Sequence, residues 1–255
     1  MISVGIDVGS ITTKGAILKG KKLLGTHVVP TGYNLPKAAQ AVLDVVLKQA
    51  GLRKEEVNNA VATGYGRNRV DIADRTITEI TCHAAGAYFM TPKIKGVIDI
   101  GGQDSKAILL DSHGHVENFV MNDKCAAGTG RFLEVMARAL EVDLDAFGDI
   151  AKRADQPARV SSLCTVFAES EVISLISQGE RKANIIAGIH QAIAARVVAM
   201  SSRIGIKAPV VMTGGVARNS GVVRAISKKM GTEIIISDYA QINGAIGAAL
   251  LASNQ

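Results

Sequence analysis

The sequence predicts an α/β protein built from two related lobes with a cleft between them. Three observations carry this. Residues 6–14 read IDVGSITTK and residues 98–106 read IDIGGQDSK, each with Ile-Asp ahead of a glycine turn and a lysine seven residues after the aspartate. Each copy runs into Ala-Ile-Leu, at 16–18 and 107–109, so each reads as strand, tight turn and second strand. A hairpin that recurs in one chain suggests two related lobes. Around the hairpins, helical periodicity alternates with short β-branched runs, the pattern of an α/β fold.

The elements follow in order. PKAAQAVLDVVLKQA (36–50) has helical spacing and stops at Gly51. NNAVATGYGRNRV (58–70) reads as a strand and a glycine loop. EITCHAAGA (79–87) reads as a helix on which Cys82 packs and His83 is a surface or core histidine rather than a ligand. After the second hairpin, NDKCAAGTGR (122–131) opens a helix over 131–140, and a helix-like stretch covers 143–154. PARVSSLCTV (157–166) looks extended, and FAESEVISLISQG (167–179) looks like an amphipathic helix capped by Gly179. A long helix spans about 183–204. APVVMTGGVARN (208–219) reads as a strand, a Gly-Gly turn and a helix start. TEIIISD (232–238) is a short strand, and the last helix lies near 241–252. The lobes are expected at 1–93 and 94–240, with 241–255 packing back on the first. No linker rich in Pro or Ser separates them.

Composition narrows the function. With 255 residues and 47% hydrophobic content, the chain can bury a large core. The net charge of +6 comes from scattered lysines and arginines, and four tyrosines and five phenylalanines offer little for stacking bases. A nucleic-acid partner is therefore not expected. No apolar run reaches the ~18 residues of a membrane span, so no membrane association is expected. The N-terminus, MISVGIDVGS, lacks the basic and apolar regions of a signal peptide, which predicts a cytoplasmic location. The three cysteines, Cys82, Cys125 and Cys164, form no CxxC pair, so a zinc ribbon or thioredoxin site has no local support.

The hairpins carry the first chemical signal. Asp7 ends a strand, Gly9 turns, and Ser10, Ile11, Thr12, Thr13 and Lys14 follow. Successive N–H groups and hydroxyls there suit phosphate oxygens, and the carboxylate suits Mg²⁺ or a water. The second hairpin offers Asp99, Gly101, Gly102, Gln103, Asp104 and Ser105. Gly214, Gly215 and Val216 form a third piece, a turn on which an adenosine can lie, with Gln241 near the start of the last helix. One such hairpin alone is equally an ordinary β-turn; two with the TGG turn in this order say more. A P-loop, GxxxxGK[ST], is absent, and GTGRFL lacks the third glycine of a dinucleotide fingerprint. The arrangement resembles the actin-like superfamily of acetate and sugar kinases and heat-shock chaperones. That resemblance implies two ribonuclease-H-like lobes with ATP between them.

The cysteines carry the second signal. Cys125 and Cys164 each precede a helical run, where backbone N–H groups and the dipole favour a thiolate. A cubane iron–sulfur cluster needs four cysteines, so two chains about a two-fold axis would be required. By spacing alone, two isolated reduced thiols is the plainer reading.

Taken together, GIDVGSITTK, ATGYGRN, DIGGQDSK, NDKCAAGTGRFLEVMA, CTVFAESEVIS, AGIHQAIAARV and VVMTGGVARN closely resemble the activators of 2-hydroxyacyl-CoA dehydratases, from end to end of the chain. That resemblance implies a homodimer with one 4Fe–4S cluster bridging the subunits, which by motif falls on Cys125 and Cys164 of each chain. It implies ATP/ADP with Mg²⁺ in each cleft, a ferredoxin or flavodoxin as electron donor, and a dehydratase that receives one low-potential electron. Asp7, Asp99 and Asp104 are the candidates for holding Mg²⁺ and positioning water, and no side chain stands out as a strong base. The ATPase subunits of benzoyl-CoA reductases share these motifs and remain a variant. A small-molecule kinase of the same fold would need a substrate-binding insert for which the length leaves little room. A chaperone-like regulator would need a peptide domain.

Overall fold

The computed structural model describes residues 1–161 and 164–253. β1 (Ile2–Val8), β2 (Thr12–Lys19) and β3 (Lys22–Pro30) form an antiparallel meander. α1 (Leu35–Ala50) leads to β4 (Asn59–Thr63), which pairs parallel to β1, and β5 (Arg75–Thr76) lies beside β4. α2 (Glu79–Met90) then leads to a second meander, β6 (Gly96–Ile100), β7 (Ser105–Leu110) and β8 (Val116–Asn122). α3 (Gly130–Ala139), α4 (Phe147–Ala151), α5 (Thr165–Ser177) and α6 (Lys182–Arg203) follow. β9 (Val210–Thr213), α7 (Ser220–Met230), β10 (Ile234–Ile236) and α8 (Asn243–Ser253) complete the chain.

The strand orders are β3-β2-β1-β4-β5 and β10-β9-β6-β7-β8. Read from the meander outward they are the same topology, so the short sequence repeat marks two copies of one five-stranded sheet. In each copy the first strand is flanked antiparallel on one side and parallel on the other. All seven residues of β1 and all five of β6 are buried; in β1 the branched Ile2, Val4, Ile6 and Val8 alternate with Ser3, Gly5 and Asp7.

α1 illustrates how local signals set an element. The Asn34 side chain accepts from Lys37 N, Pro36 sits in the first turn, and Gly51 ends the helix at φ 66°. Its Val42, Leu43, Val46 and Leu47 pack on the outer face of the first sheet. On the inner face lies α8, whose Ala245, Ile246 and Ala249 meet Ala16 and Leu18. A Cβ on Gly5 would collide with the α8 backbone at Ala245 and Ala249, so glycine there permits the close approach. α2 packs beside α8 and presents Ile80, Ala84 and Ala87 to Val97, Ile108 and Val211 of the second sheet. The α2–α8 pair is thus a layer between the sheets. α3 to α7 cover the far face of the second sheet around Phe132, Met136, Phe147, Ile189 and Val222.

Several expectations change in detail. α5 buries only Ala168 and Val172, while Val166, Phe167, Ile173 and Ile176 are exposed, so its apolar residues do not form one inward stripe. Its cap is Gln178, with Gly179 left-handed one residue later. The 143–154 stretch is a 3₁₀ turn and the five-residue α4. The Gly-Gly turn opens a 3₁₀ turn rather than an α-helix, and α7 starts at Ser220 with Asn219 as its cap. Of the expected extended segment at 157–166, positions 162 and 163 lie outside the described residues and α5 already begins at Thr165. α6 is long and apolar enough to cross a membrane, yet its Ile185, Ile189, Ile193 and Val197 lie in the second core.

Candidate functional site: a nucleotide cleft and two thiols

Register explains the hairpin geometry. Asp7 faces Lys14 across the β1–β2 pair, and Asp99 faces Lys106 across β6–β7. Each turn is closed by a backbone bond, Gly9 N to Thr12 O at 3.1 Å and Gly101 N to Asp104 O at 2.9 Å. The tips meet across the cleft, since a Cβ on Gly102 would strike the Ile11 side chain. Lys14 Nζ lies 3.2 Å from Asp7 Oδ2.

Lys106 is surrounded more fully, by Asp99 Oδ2 at 3.2 Å, Asp104 Oδ1 at 2.9 Å and Glu79 Oε2 at 3.5 Å. Asp99 also accepts from Thr213 Oγ1 at 2.8 Å and stands 3.2 Å from His83 Nδ1. Burial pushes the Asp99 pKa up, but His83, Lys106 and the Thr213 hydroxyl outweigh it and hold the carboxyl well below its usual range. Burial pulls the Lys106 pKa down, but its three carboxylates outweigh this and hold the ammonium above its usual value. Glu79 goes the other way. Burial raises its pKa, and Lys106 offsets that only in part.

The hairpins and the Gly-Gly turn enclose a cavity of about 760 Å³. Asp7, Ser10, Ile11, Thr12 and Lys14 line one side; Asp99, Gly101, Gly102, Gln103 and Asp104 line the other; Gly214, Gly215, Val216 and Gln241 close the end. Thr13 and Ser105 are the exceptions: Ser105 is buried beside the cavity rather than lining it, and the buried Thr13 hydroxyl lies 2.9 Å from that of Thr31, behind the hairpin. Alternation along β2 sends Thr12 and Thr13 to opposite faces.

The cavity also holds side chains that sequence reasoning did not assign. Glu79, His83 and Lys106 form its floor, and Leu133, Glu134, Leu144, Asp145 and Arg218 form its far wall. The Asp-to-Lys spacing of the repeat pointed at Lys106, and Glu79 and His83 stand one helical turn apart on α2. Nothing local marks the far wall, which α3 and a loop bring in. A lysine, hydroxyls and turn N–H groups at one end and Leu133, Leu144 and Val216 at the other suit a phosphate chain and a flat base.

The thiols divide. Cys82 is buried between α2 and α8, and desolvation pushes its pKa up to about 12, so it packs. Cys125 and Cys164 are free and half-buried. Asn122 Nδ2 donates to Cys125 O at 2.7 Å and to Ala127 O at 3.2 Å, which fixes the Cys125 loop. The α3 start was expected to aim its N–H groups at the thiol. Instead Gly130 N donates to Gly101 O at 2.9 Å and Arg131 N to Gly102 O at 2.8 Å. Those amides tie the Cys125 loop to the turn of the second hairpin. Cys164 is the N-cap residue of α5 and its side chain makes no capping bond. Among the described residues no group of three or more His, Cys, Asp or Glu could hold a metal within one chain.

A duplicated five-stranded sheet, one Asp-Gly hairpin per copy and a cavity between them define a two-lobed, actin-like ATP-binding protein. A ROK family glucokinase from Streptomyces griseus shares this fold at 12% identity, with a TM-score of 0.62 over 100% of both chains. The chain belongs to the BadF/BadG/BcrA/BcrD ATPase family, an ATP-hydrolysing family whose sequence model matches residues 4–252. It is 51% identical to the activator of lactoyl-CoA dehydratase of Anaerotignum propionicum, over 99% of this chain and 97% of that one. It superimposes on (R)-2-hydroxyglutaryl-CoA dehydratase component A of Acidaminococcus fermentans with a TM-score of 0.96 at 48% identity, covering 99% and 98% of the two chains. The activator of 2-hydroxyisocaproyl-CoA dehydratase from Clostridium difficile, solved with bound ADPNP, gives a TM-score of 0.94 at 47% identity over 100% of this chain and 95% of that one.

Proposed function

We propose that this chain is an ATP-dependent one-electron activator of a 2-hydroxyacyl-CoA dehydratase. It acts as a homodimer whose copies share one 4Fe–4S cluster through Cys125 and Cys164 of each. The observation that carries this reading is the pair of bonds from Gly130 N and Arg131 N to the carbonyls of Gly101 and Gly102. The loop bearing Cys125 is thereby anchored to a phosphate-binding turn, so a change at the nucleotide is felt at the thiol.

The residues fit the group. A cubane takes four thiolates, and each chain offers two half-buried free thiols beside the buried Cys82. Val166 and Phe167, exposed just after Cys164, are the kind of apolar residues a second copy would cover. When bound, such a cluster supplies a one-electron store at low potential. Lys14, Ser10 and Thr12 hold phosphate oxygens. Asp104, whose side chain is 28% exposed, is the most open carboxylate of the second hairpin and suits Mg²⁺ through its waters. Glu79 stands at the cavity floor with a raised pKa and suits a base that orients the attacking water. The donor is a ferredoxin or flavodoxin, and the setting is the cytoplasm, where thiols stay reduced.

The test is anaerobic purification followed by iron and sulfide assay and ATP-dependent electron transfer to a dehydratase. Four irons per dimer are expected. A colourless protein with less than about one iron per dimer after reconstitution, against the four-iron cubane, overturns the reading. Full cluster content in Cys125→Ala overturns it as well.

A further inference from the structure

The hairpins are not the only duplicated element at the cleft. Asp7 pairs with Thr63 in the parallel β1–β4 register, and Asp99 pairs with Thr213 in β6–β9. β4 and β9 each run into Thr-Gly, at Thr63–Gly64 and Thr213–Gly214, and the two glycines have φ of 84° and 87°. Each glycine is pressed onto its hairpin. A Cβ on Gly64 would strike Asp7 Oδ1 and Val8 O, and one on Gly214 would strike Ile100 O and Asp99 Oδ1. Each turn continues into a 3₁₀ turn that carries an arginine, Arg67 in the first and Arg218 in the second. The second turn closes the apolar end of the cavity with Val216. The first lies on Asp7, in the hairpin whose lysine and hydroxyls form the other end, and its Tyr65 and Arg67 line the cavity there. Arg67 is half-buried. Its Nη1 donates to Gly64 O at 3.1 Å, which holds the guanidinium on the turn that packs against Asp7. It has no carboxylate partner among the described residues, so its other N–H donors remain for a ligand.

We propose that Arg67 is a catalytic residue of the ATPase, binding the terminal phosphate of ATP and neutralising the charge that builds on it as water attacks. This rests on the placement of the phosphates on the first hairpin given above. The base occupies the end at Gly214, so the last phosphate lies farthest from it, beside the Gly64 turn. In the step itself, a bond forms from the water oxygen to the γ-phosphorus while the bond from that phosphorus to the β–γ bridging oxygen breaks. The electron pair of the broken bond stays on ADP, one proton of the water passes to Glu79, and inorganic phosphate leaves. A guanidinium already fixed beside the γ-oxygens stabilises that transition state without having to reorganise. Its planar fork matches two phosphate oxygens at once. ADP lacks the group that Arg67 holds, so the same contact separates the two nucleotide states.

The test uses the full-length protein, with ATP turnover and calorimetric affinities for ADP and the non-hydrolysable ADPNP measured for Arg67→Ala, Arg67→Lys and Arg69→Ala beside the wild type. Arg69 shares the 3₁₀ turn, is exposed and does not line the cavity. Turnover by Arg67→Ala is expected to fall about 10³-fold, the size of an arginine's effect on phosphoryl transfer. Its ADPNP affinity is expected to fall about tenfold, the loss of a charged hydrogen bond, with ADP affinity within about threefold of wild type. Arg67→Lys keeps the charge and loses the fork, so its turnover is expected between the two. Arg69→Ala is expected to match the wild type. The proposal is overturned if Arg67→Ala turns over ATP within about threefold of wild type, or if its ADP and ADPNP affinities fall equally. It is also overturned if Arg69→Ala loses as much turnover as Arg67→Ala, because the loop and not the guanidinium would then matter. Should urea unfolding show Arg67→Ala unfolded, Arg67→Lys decides, and the wild-type rate in that variant overturns the proposal. Lys14→Met that binds ADP as tightly as the wild type is a different failure, that of the phosphate placement on the first hairpin.

Discussion

The two Asp-Gly hairpins share one pattern and use it differently. In both, an aspartate at the end of the first strand faces a lysine in the second, across equivalent register. In the first hairpin the lysine side chain is 15% exposed and has one carboxylate partner. In the second it is 2% exposed and has three. The difference comes from α2, which brings Glu79 and His83 against the second hairpin, and from Thr213 at the end of β9. Lys14, with its one partner, lines the cavity and stays partly exposed, while Lys106 is the internal counter-ion of an acidic floor. A duplicated sequence motif therefore carries one open lysine and one saturated one.

The largest test of that contrast is to remove each lysine. Lys106→Met leaves buried carboxylates without a counter-ion and is expected to cost about 3–5 kcal/mol in urea unfolding. Lys14→Met removes a single, partly solvated pair and is expected to cost less than about 1 kcal/mol but to weaken nucleotide binding at least about tenfold, the loss of one charge-assisted contact. Equal stability losses would erase the contrast.

The next test separates binding from turnover on the acidic floor. Glu79→Gln is expected to lower ATP turnover by about 10²-fold, the loss of a general base, while nucleotide affinity measured by calorimetry stays within about threefold, under 1 kcal/mol. A turnover change that small would return the role to Asp7 or Asp104.

Acid titration is a smaller, directional test. The folded pKa of Asp99 lies below its unfolded value of about 3.9. Its contribution is therefore fully present above about pH 4 and lost as pH falls through the folded value. Urea midpoints of wild type and Asp99→Asn should converge as pH drops below about 4; a gap that stays constant would mean that the Asp99 charge contributes nothing. Lys106, raised by its carboxylates, keeps its contribution up to about pH 10 and loses it above.

The smallest effects are expected at the adjacent threonines. Thr13→Val breaks the buried bond to Thr31 and should cost about 1 kcal/mol of stability with nucleotide affinity unchanged. Thr12→Val, on the cavity side, should do the reverse, lowering affinity by a few-fold at constant stability.

Most elements were legible because their signals are local. The Asn34 and Gly51 caps bound α1, and glycine turns bound the hairpins. The cavity side of Ser10, Lys14 and Gly101 to Asp104 followed from the repeat. α5 was misread because periodicity records where apolar residues fall and cannot record whether a neighbour covers them. Its Val166, Phe167, Ile173 and Ile176 face outward in the single chain. The role given to the α3 amides was misread because a helix start offers donors without naming their acceptors, and here the acceptors are Gly101 and Gly102.

The two-lobed α/β class, the glycine turns of both hairpins and the place of the thiols ahead of helices were readable from sequence, because glycine turns, strand alternation and helix caps act over a few residues. Only packing makes Lys106 saturated while Lys14 stays open, brings Glu79 and His83 to the cavity floor, and hangs the Cys125 loop on the turn of the second hairpin. Each of these depends on residues far apart in the chain meeting at hydrogen-bond distance, and burial and charge there are set by which element packs against which.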